Sequence, residues 1–274
     1  MRVFLTGASG FIGSHVARAL LSTGCEVAIL TRPGNPLWRL HDVAHRVTLL
    51  KGELSDIAAL RPALGEWKPE ACIHLAWYAE PNKYLTSPEN IPALTASLTL
   101  LDELIKAGCR QVVMAGTCAE YDTDAGFLRE DGPTRPTTIY AAAKLSLSLL
   151  GQQIASAAGV RFAWARLFYL YGPYEDERRA VPALIRALLR GETFQATKGE
   201  QVRDYLHVED VASALCALAE RGVSGIVNIA SGAPVTMRQV METVGEITGR
   251  PDLIRFGELP YRDWEPIFIC GDNR

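Results

Sequence analysis

The sequence predicts an α/β fold built on a doubly wound parallel sheet, with a smaller region towards the C-terminus. Two observations predict it. Short apolar runs alternate with helical patterns through the first part of the chain. The turn between the first apolar run and the first helix also carries three glycines at three-residue spacing, as strand-to-helix turns of Rossmann folds do.

The Gly-rich turn follows the strand predicted at Val3 to Leu5 and precedes a second strand at Glu26 to Leu30. Three glycines there allow a tight turn, close approach of a phosphate and close packing of helix on strand. Backbone N–H groups and the positive end of the helix dipole converge at the turn, which suits a pyrophosphate. The sequence therefore predicts a dinucleotide cofactor. The residues assigned to its site are Gly7, Gly10, Phe11, Ile12 and Gly13.

The loop after the second strand is expected beside the adenosine ribose. An acidic residue there would accept hydrogen bonds from both ribose hydroxyls and repel a 2′-phosphate, but this chain has Thr31 and then Arg32. A guanidinium pairs well with phosphate. We therefore expect NADP as the cofactor in preference to NAD, and NAD is kept as the alternative. In a second interpretation Arg32 is only a solvated arginine on a loop.

Two further strand ends are expected at the cofactor. Glu53 and Leu54 follow a third strand at 47–50 and are placed near the adenine, although a helix N-cap at Ser55 or Asp56 explains this stretch equally well. A fourth strand at 71–75 ends in Leu75 and Ala76, where backbone can lie against the cofactor. His74 lies within that apolar run, so we expect a hydrogen-bonded core histidine.

The candidate catalytic residues lie in the middle of the chain. A fifth strand at 111–115 delivers Thr117 to the carboxyl edge of the sheet, where ligands bind in open α/β folds. Tyr140 and Lys144 are four residues apart on one face of a helix reaching about Ala158. A lysine ammonium close to a phenol lowers its pKa from about 10, which makes Tyr140 a general acid or base. Thr117 is expected to bond the same substrate oxygen, and Lys144 the nicotinamide ribose.

Composition narrows the possible partners. The chain has 274 residues, 48% of them hydrophobic, and a formal net charge of −3, which gives no reason to expect nucleic acid or an anionic membrane. Six cysteines lack any CxxC pairing, so we expect small buried side chains and no metal site. Neither a leader peptide nor a membrane span is recognisable, so we expect a soluble cytoplasmic protein.

These motifs resemble the extended short-chain dehydrogenases/reductases of the NAD-dependent epimerase/dehydratase family, whose members mostly act on nucleotide-diphosphate sugars. The resemblance covers nearly the whole chain in the family's order. It is carried by the segments Thr6 to His15, His74 to Ala76, Thr117, Tyr140 with Lys144, Arg166 to Phe168, Tyr171 to Pro173, and Arg203 to Ala212.

The resemblance implies further roles. Residues 1–168 would form the dinucleotide-binding domain, with a strand and a helix near 203–230 returning to it, and 169–274 would mainly bind substrate as a lid. Phe168 would line the cofactor, Tyr169 would contact substrate where many members have Asn, and Arg203 would bind the substrate diphosphate. For His207 and Asp210 we prefer hydrogen bonding within their own turn. A homodimer is implied, made by the helices containing Ile91 and Tyr140.

Departures from the family pattern suggest the reaction. Dehydratases of the family carry an Asp-Glu pair directly after the catalytic Thr, whereas this chain has Cys118 and Ala119. With Thr31 and Arg32, this favours NADPH-dependent reduction of a 4-keto group on a nucleotide-linked deoxysugar, with Tyr140 protonating the oxygen. The alternatives are a C4 epimerase using bound NAD, a small-carbonyl reductase, and a module that binds dinucleotide without chemistry.

Within the last residues, 252–274, the stretch 257–264 is expected to form irregular loop. Family members usually continue into a further helix, which implies a short lid or a truncated chain.

Overall fold

Seven parallel strands form the central sheet of this protein, for which a computed structural model describes residues 1–262 and 265–273. In chain order the described strands are β1 (Arg2–Thr6), β2 (Glu26–Thr31), β3 (Thr48–Lys51), β4 (Ala71–His74), β5 (Gln111–Thr117), β6 (Phe127–Leu128), β7 (Arg161–Leu167), β8 (Tyr169–Tyr171), β9 (Phe194–Ala196), β10 (Val202–His207), β11 (Gly225–Ile229), β12 (Pro234–Thr236), β13 (Ile254–Phe256) and β14 (Cys270–Gly271). The helices are α1 (Phe11–Ser22), α2 (Arg61–Trp67), α3 (Asn90–Lys106), α4 (Ile139–Ala157), α5 (Ala180–Leu189), α6 (Val208–Glu220) and α7 (Met237–Thr248).

The strand order of the sheet is β11, β7, β5, β4, β1, β2, β3, and each pair is parallel. The order reverses direction between β1 and β4, which opens a crevice at their carboxyl ends. The predicted fold class is confirmed.

Helices cover both faces of the sheet, because its strands are apolar on both sides. On one face α1 packs against α6, and their side chains join one hydrophobic cluster with the strands. On the other face α3 packs against α4 over a second cluster that includes Leu101, Leu147 and Trp164. The sheet therefore divides the core into two clusters, one on each face.

The C-terminal part forms smaller sheets beside that edge. Strand β10 pairs in parallel with β8 and in antiparallel with β12, while α5 and α7 pack on each other. The expectation of irregular loop at 257–264 is confirmed for residues 257–262, which form no helix or strand. On either side of this loop β13 pairs with β9 and β14 with β6. Strands of two or three residues carry no periodicity, so these pairings depend on distant partners. Asp263, Trp264 and Arg274 lie outside the described residues.

All six cysteines are buried and free. Within the described residues, no helix combines the length and the apolar character that a membrane crossing requires.

Candidate active site

The Gly-rich turn forms a cradle that has no room for a side chain. Gly7 has a φ of +74°, and a Cβ on it would lie 2.7 Å from the backbone nitrogen of Ala76. A Cβ on Gly13 would lie 2.1 Å from the carbonyl oxygen of Gly7. Helix α1 begins at Phe11, and Gly10 caps it without a side-chain hydrogen bond. N–H groups of the first turn, including those of Phe11 and Ile12, are thus available to an anion, which fits a pyrophosphate.

Leu75 and Ala76 complete the wall of this cradle. The N–H of Leu75 donates to the carbonyl of Thr6 at 3.2 Å, and that of Ala76 donates to the Thr6 hydroxyl at 3.3 Å. His74 lies just before them, with its ring nitrogens 2.6 Å from the Thr6 hydroxyl and 2.8 Å from that of Ser97. Burial lowers the pKa of His74 to about 3. It is the hydrogen-bonded core histidine that the sequence led us to expect.

The loop after β2 approaches the cradle through a residue that sequence reasoning missed. Arg32 is exposed next to buried Thr31. Arg39 instead donates to the carbonyls of Tyr174, at 3.0 Å, and Ser9, at 3.4 Å. Asn35 donates to the Ser9 hydroxyl at 3.1 Å. The sequence carries no signal of the Arg39 contact, because Arg39 lies in a short 3-10 turn further along the loop.

Two predicted cofactor residues take unexpected local structure. Glu53 precedes the 3-10 segment Leu54–Leu60 and caps it without a side-chain bond. The segment is kinked at Asp56, whose φ of −122° and ψ of 37° are not helical. Ser55 donates to the Glu53 carboxylate at 3.4 Å. Phe168 packs in a hydrophobic cluster with Tyr121 and Ile269. Because its ring is used there, a contact of Phe168 with a cofactor would be made by its backbone.

Thr117, Tyr140 and Lys144 converge at the carboxyl edge of the sheet. Thr117 ends β5, its hydroxyl accepts the N–H of Ala119 at 3.2 Å, and it lies close enough to the Tyr140 phenol to lower the pKa of that phenol. Lys144 donates to the carbonyl of Ala115 at 2.8 Å. Its ammonium also lies 3.8 Å from the centroid of the Trp77 ring.

The electrostatics of this group differ from the expectation. Burial raises the pKa of Tyr140, and the Thr117 hydroxyl only partly opposes this. Burial also lowers the pKa of Lys144 to about 7, while the charge of Glu120 raises it. The expected lowering of the phenol pKa by Lys144 is therefore wrong for this structure, because desolvation dominates both groups and the ammonium faces Ala115 and Trp77.

Glu120 is a buried carboxylate that is held beneath Thr117. It accepts the N–H of Thr117 at 2.8 Å, the indole N–H of Trp164 at 3.0 Å and the guanidinium of Arg166 at 2.8 Å. Its exposed fraction is 0%. Cys118 and Ala119 occupy the two positions where dehydratases of the family carry their acid and base. Glu120 is the next residue, but its bonds hold it in the core, so it does not replace that acid or base.

Aromatic side chains line the neighbouring cleft. The Tyr84 ring meets that of Tyr140 edge-on at 4.9 Å, and the guanidinium of Arg179 lies 5.3 Å from the centroid of the Tyr84 ring. Tyr169 packs on Tyr205 at 5.7 Å, and burial raises its pKa. Sequence reasoning missed Tyr84, since the loop at 76–89 carries no periodic signal.

Arg203 lies under this cleft and is 2% exposed. Its guanidinium donates to Glu265 at 2.8 Å and to the carbonyl of Val202 at 2.8 Å, and it lies 5.1 Å from the Tyr169 ring. The next residue, Asp204, accepts N–H groups of Ser231, Gly232 and Gly271. This motif therefore places one cation beside the cleft and anchors the C-terminal segment.

His207 caps helix α6 by accepting the N–H of Glu209 at 3.4 Å, which agrees with the preferred structural role of His207. Glu209 and Asp210 lie in the first turn of α6, at the positive end of its dipole. Among the described residues, no group of three His, Cys, Asp or Glu is arranged to hold a metal ion.

Comparison with known proteins agrees with this geometry. The model of the NAD dependent epimerase/dehydratase family matches residues 3–230. UDP-glucose 4-epimerase of Corynebacterium glutamicum is 29% identical, over 100% of this chain and 88% of the relative. CDP-abequose synthase of Salmonella typhimurium is 28% identical, over 99% of this chain and 90% of the relative. The solved UDP-glucose 4-epimerase of Thermus thermophilus in complex with NAD is 26% identical, with a TM-score of 0.85 over 99% of this chain and 90% of that one.

The fold, the Gly-rich cradle and the Thr, Tyr and Lys at the sheet edge define an enzyme of the extended short-chain dehydrogenase/reductase type. The chain belongs to the NAD dependent epimerase/dehydratase family.

Proposed function

We propose that this protein is a nucleotide-sugar 4-epimerase that works with a retained NAD. The observation that carries the proposal is the composition of the site: one phenol, Tyr140, stands beside Thr117 and Lys144, while Glu120 is locked in an ion pair. Removal of water needs both an acid and a base, whereas inversion at one carbon needs a single group that gives and takes one proton. The relatives favour this alternative over the 4-keto reduction suggested by the sequence departures.

Each catalytic residue has a defined task in this proposal. The Tyr140 phenol first loses its proton to solvent, and the resulting phenolate takes the proton of the sugar 4-hydroxyl and later returns it. Thr117 hydrogen-bonds the same oxygen. In the loaded site a protonated Lys144 would supply a positive charge that favours this phenolate, an effect that desolvation outweighs in this structure. When bound, NAD supplies the reversible oxidation and reduction at C4. The raised pKa of Tyr140 keeps the phenol protonated until substrate and cofactor change its surroundings.

The cleft supports a nucleotide-diphosphate sugar as substrate. Arg203 is a buried cation whose present partner, Glu265, is an anion, so its guanidinium can exchange a carboxylate for a diphosphate. Tyr169 occupies the position where many family members have Asn, and its ring forms part of the aromatic wall. We therefore expect the sugar to contact an aromatic surface there.

The test is incubation of the purified protein with UDP-glucose and with UDP-galactose, without added dinucleotide. We expect each sugar nucleotide to convert into the other until their ratio is constant. Proton NMR of the anomeric signals monitors the conversion. Tyr140→Phe should abolish the conversion. The control Tyr261→Phe removes a hydroxyl that bonds Glu200, outside the site, and should leave the conversion intact. The proposal would be refuted if neither UDP-glucose, UDP-galactose nor their N-acetyl and uronic acid forms were converted.

A second candidate, the NADPH-dependent 4-keto reductase, rests on Thr31 and Arg32, where an acidic residue would favour NAD. The comparisons do not support the expected preference for NADP. Calorimetric titration with NADPH and NADH, on wild type and on Arg32→Ala, separates the two candidates. Tighter binding of NADPH that Arg32→Ala removes would favour the reductase. Protein purified with NAD bound would favour the epimerase.

We also propose that the protein is a homodimer built on α3 and α4. Ile91, Leu149, Leu150 and Ile154 are exposed on these helices, with Leu149 58% and Ile91 56% accessible. Apolar side chains clustered on a surface favour association. Light scattering of wild type should give twice the monomer mass, and Leu150→Glu should give the monomer. A monomeric wild type would refute this arrangement.

A further inference from the structure

The ammonium of Lys144 is almost completely removed from water. The residue is 4% exposed, and burial lowers its pKa to about 7. Its protonated form therefore depends on nearby groups. The carbonyl of Ala115 accepts its hydrogen bond, and the charge of Glu120 favours the ammonium. The third group is the face of the Trp77 ring, 3.8 Å from the nitrogen.

Trp77 is held in one orientation by Asn90. The indole N–H donates to the Asn90 side-chain oxygen at 2.8 Å. The Asn90 amide nitrogen donates to the carbonyls of Tyr84, at 2.6 Å, and Ser87, at 2.9 Å. Because Asn90 is 0% exposed and its amide nitrogen is engaged twice, its oxygen has to face the indole. The Trp77 ring is therefore fixed before any ligand binds.

Trp77 contacts both proposed catalytic side chains on α4. Its ring meets the Tyr140 ring at 6.4 Å and 76°, and its face meets the Lys144 ammonium. A cation on an aromatic face is stabilised most when water is excluded, as it is here. The chain reaches this point directly from β4, since Trp77 follows Leu75 and Ala76 of the cofactor cradle.

We propose that Trp77 is a positioning residue of this active site, whose ring face holds the Lys144 ammonium against the Ala115 carbonyl and beside Tyr140. Asn90 locks the ring for this purpose. The inference rests on the catalytic role of Lys144 that is proposed above.

Three titratable groups face Lys144 from the elements packed around it. They are Tyr140 on α4, Glu120 after β5 and His74 on β4, and the last stays neutral because its pKa is about 3. Trp77 carries no charge, so replacing it removes none of these three groups. Loss of the ring face should therefore lower the pKa of Lys144 by about one unit, roughly a tenfold change in the ratio of ammonium to amine.

The experiment compares Trp77→Leu and Trp77→Met with wild type in the NAD-loaded enzyme. Met is a bulky side chain without an aromatic face, so the test stands if only one of the two variants folds. The conservative variant Trp77→Phe keeps an aromatic face. The control is Trp67→Leu at the end of α2, which removes an indole other than the one that lies on the Lys144 ammonium. The pH dependence of kcat and an NMR titration of 13C-labelled lysine are measured for each.

The alkaline limb of kcat and the Lys144 titration should both move down by about one pH unit in Trp77→Leu and Trp77→Met. Both quantities should shift less in Trp77→Phe, and neither should shift in Trp67→Leu. Unchanged titration in the Leu and Met variants, or an equal shift in Trp67→Leu, would overturn the inference. A wild type that converts no nucleotide sugar, with the NMR shift still present, would refute the proposed function and leave the Trp77 contact supported.

Discussion

Replacing Lys144 with methionine should change the pH dependence of folding stability. The group is 4% exposed, and burial lowers its pKa from 10.5 to about 7. Between these two values the unfolded chain holds the proton and the folded chain does not. Stability of the wild type therefore rises with pH from about 7 towards 10.5, because the unfolded state binds more protons there. Methionine removes this contribution.

The magnitude follows from the size of the shift. At about 1.4 kcal/mol per pKa unit, a lowering from 10.5 to about 7 costs the folded protein about 5 kcal/mol at pH values below 7. The free energy of unfolding of Lys144→Met should therefore exceed that of wild type by the largest amount below pH 7. The difference should shrink by about 1.4 kcal/mol for each pH unit above about 7. The slope of this difference against pH is the informative quantity, because the change in packing adds the same amount at every pH.

Urea unfolding at about pH 7, 8, 9 and 9.5 measures this slope on both proteins without added dinucleotide. The control is Lys198→Met, which removes a lysine in the loop after β9 and should give a constant difference. A constant difference for Lys144→Met would refute the reasoning, because it would mean that the buried amine titrates as it does in the unfolded chain.

Three further predictions concern the surroundings of the site. Gly13→Ala should abolish dinucleotide binding in calorimetry, since its Cβ would lie 2.1 Å from a backbone oxygen, whereas Gly65→Ala, with nothing within 4 Å, should bind as wild type. Glu120→Gln should cost about 3–5 kcal/mol in urea unfolding because it leaves Arg166 buried without its counter-charge; a cost near zero would contradict this. Asp204→Asn should cost about 1–3 kcal/mol and speed proteolysis of the C-terminal segment, and an unchanged digestion pattern would contradict that role.

Local sequence pattern was sufficient to predict the Gly-rich turn. The spacing of Gly7, Gly10 and Gly13 between an apolar run and a helical pattern predicted the strand, the turn and the cradle. Patterns of this kind are readable because neighbouring residues alone determine them. The i, i+4 spacing of Tyr140 and Lys144 likewise placed both on one helix face.

Contacts between distant segments were not readable in the same way. Arg39 on the Gly-rich loop, Tyr84 on Tyr140 and Glu265 on Arg203 each join parts of the chain that share no periodic pattern. The short strands β13 and β14 belong to the same class, because two or three residues form a strand only where a distant partner is present.

The sequence by itself determined the fold class, the family resemblance and the identity of the three residues at the sheet edge. Only the tertiary structure decided their electrostatics. It buries Lys144 and half-buries Tyr140, so that desolvation governs the pKa of both, and it brings Trp77 from another element onto the ammonium. The physical reason is that a pKa depends on the dielectric surroundings and on charges in space, which packing creates and local sequence does not encode.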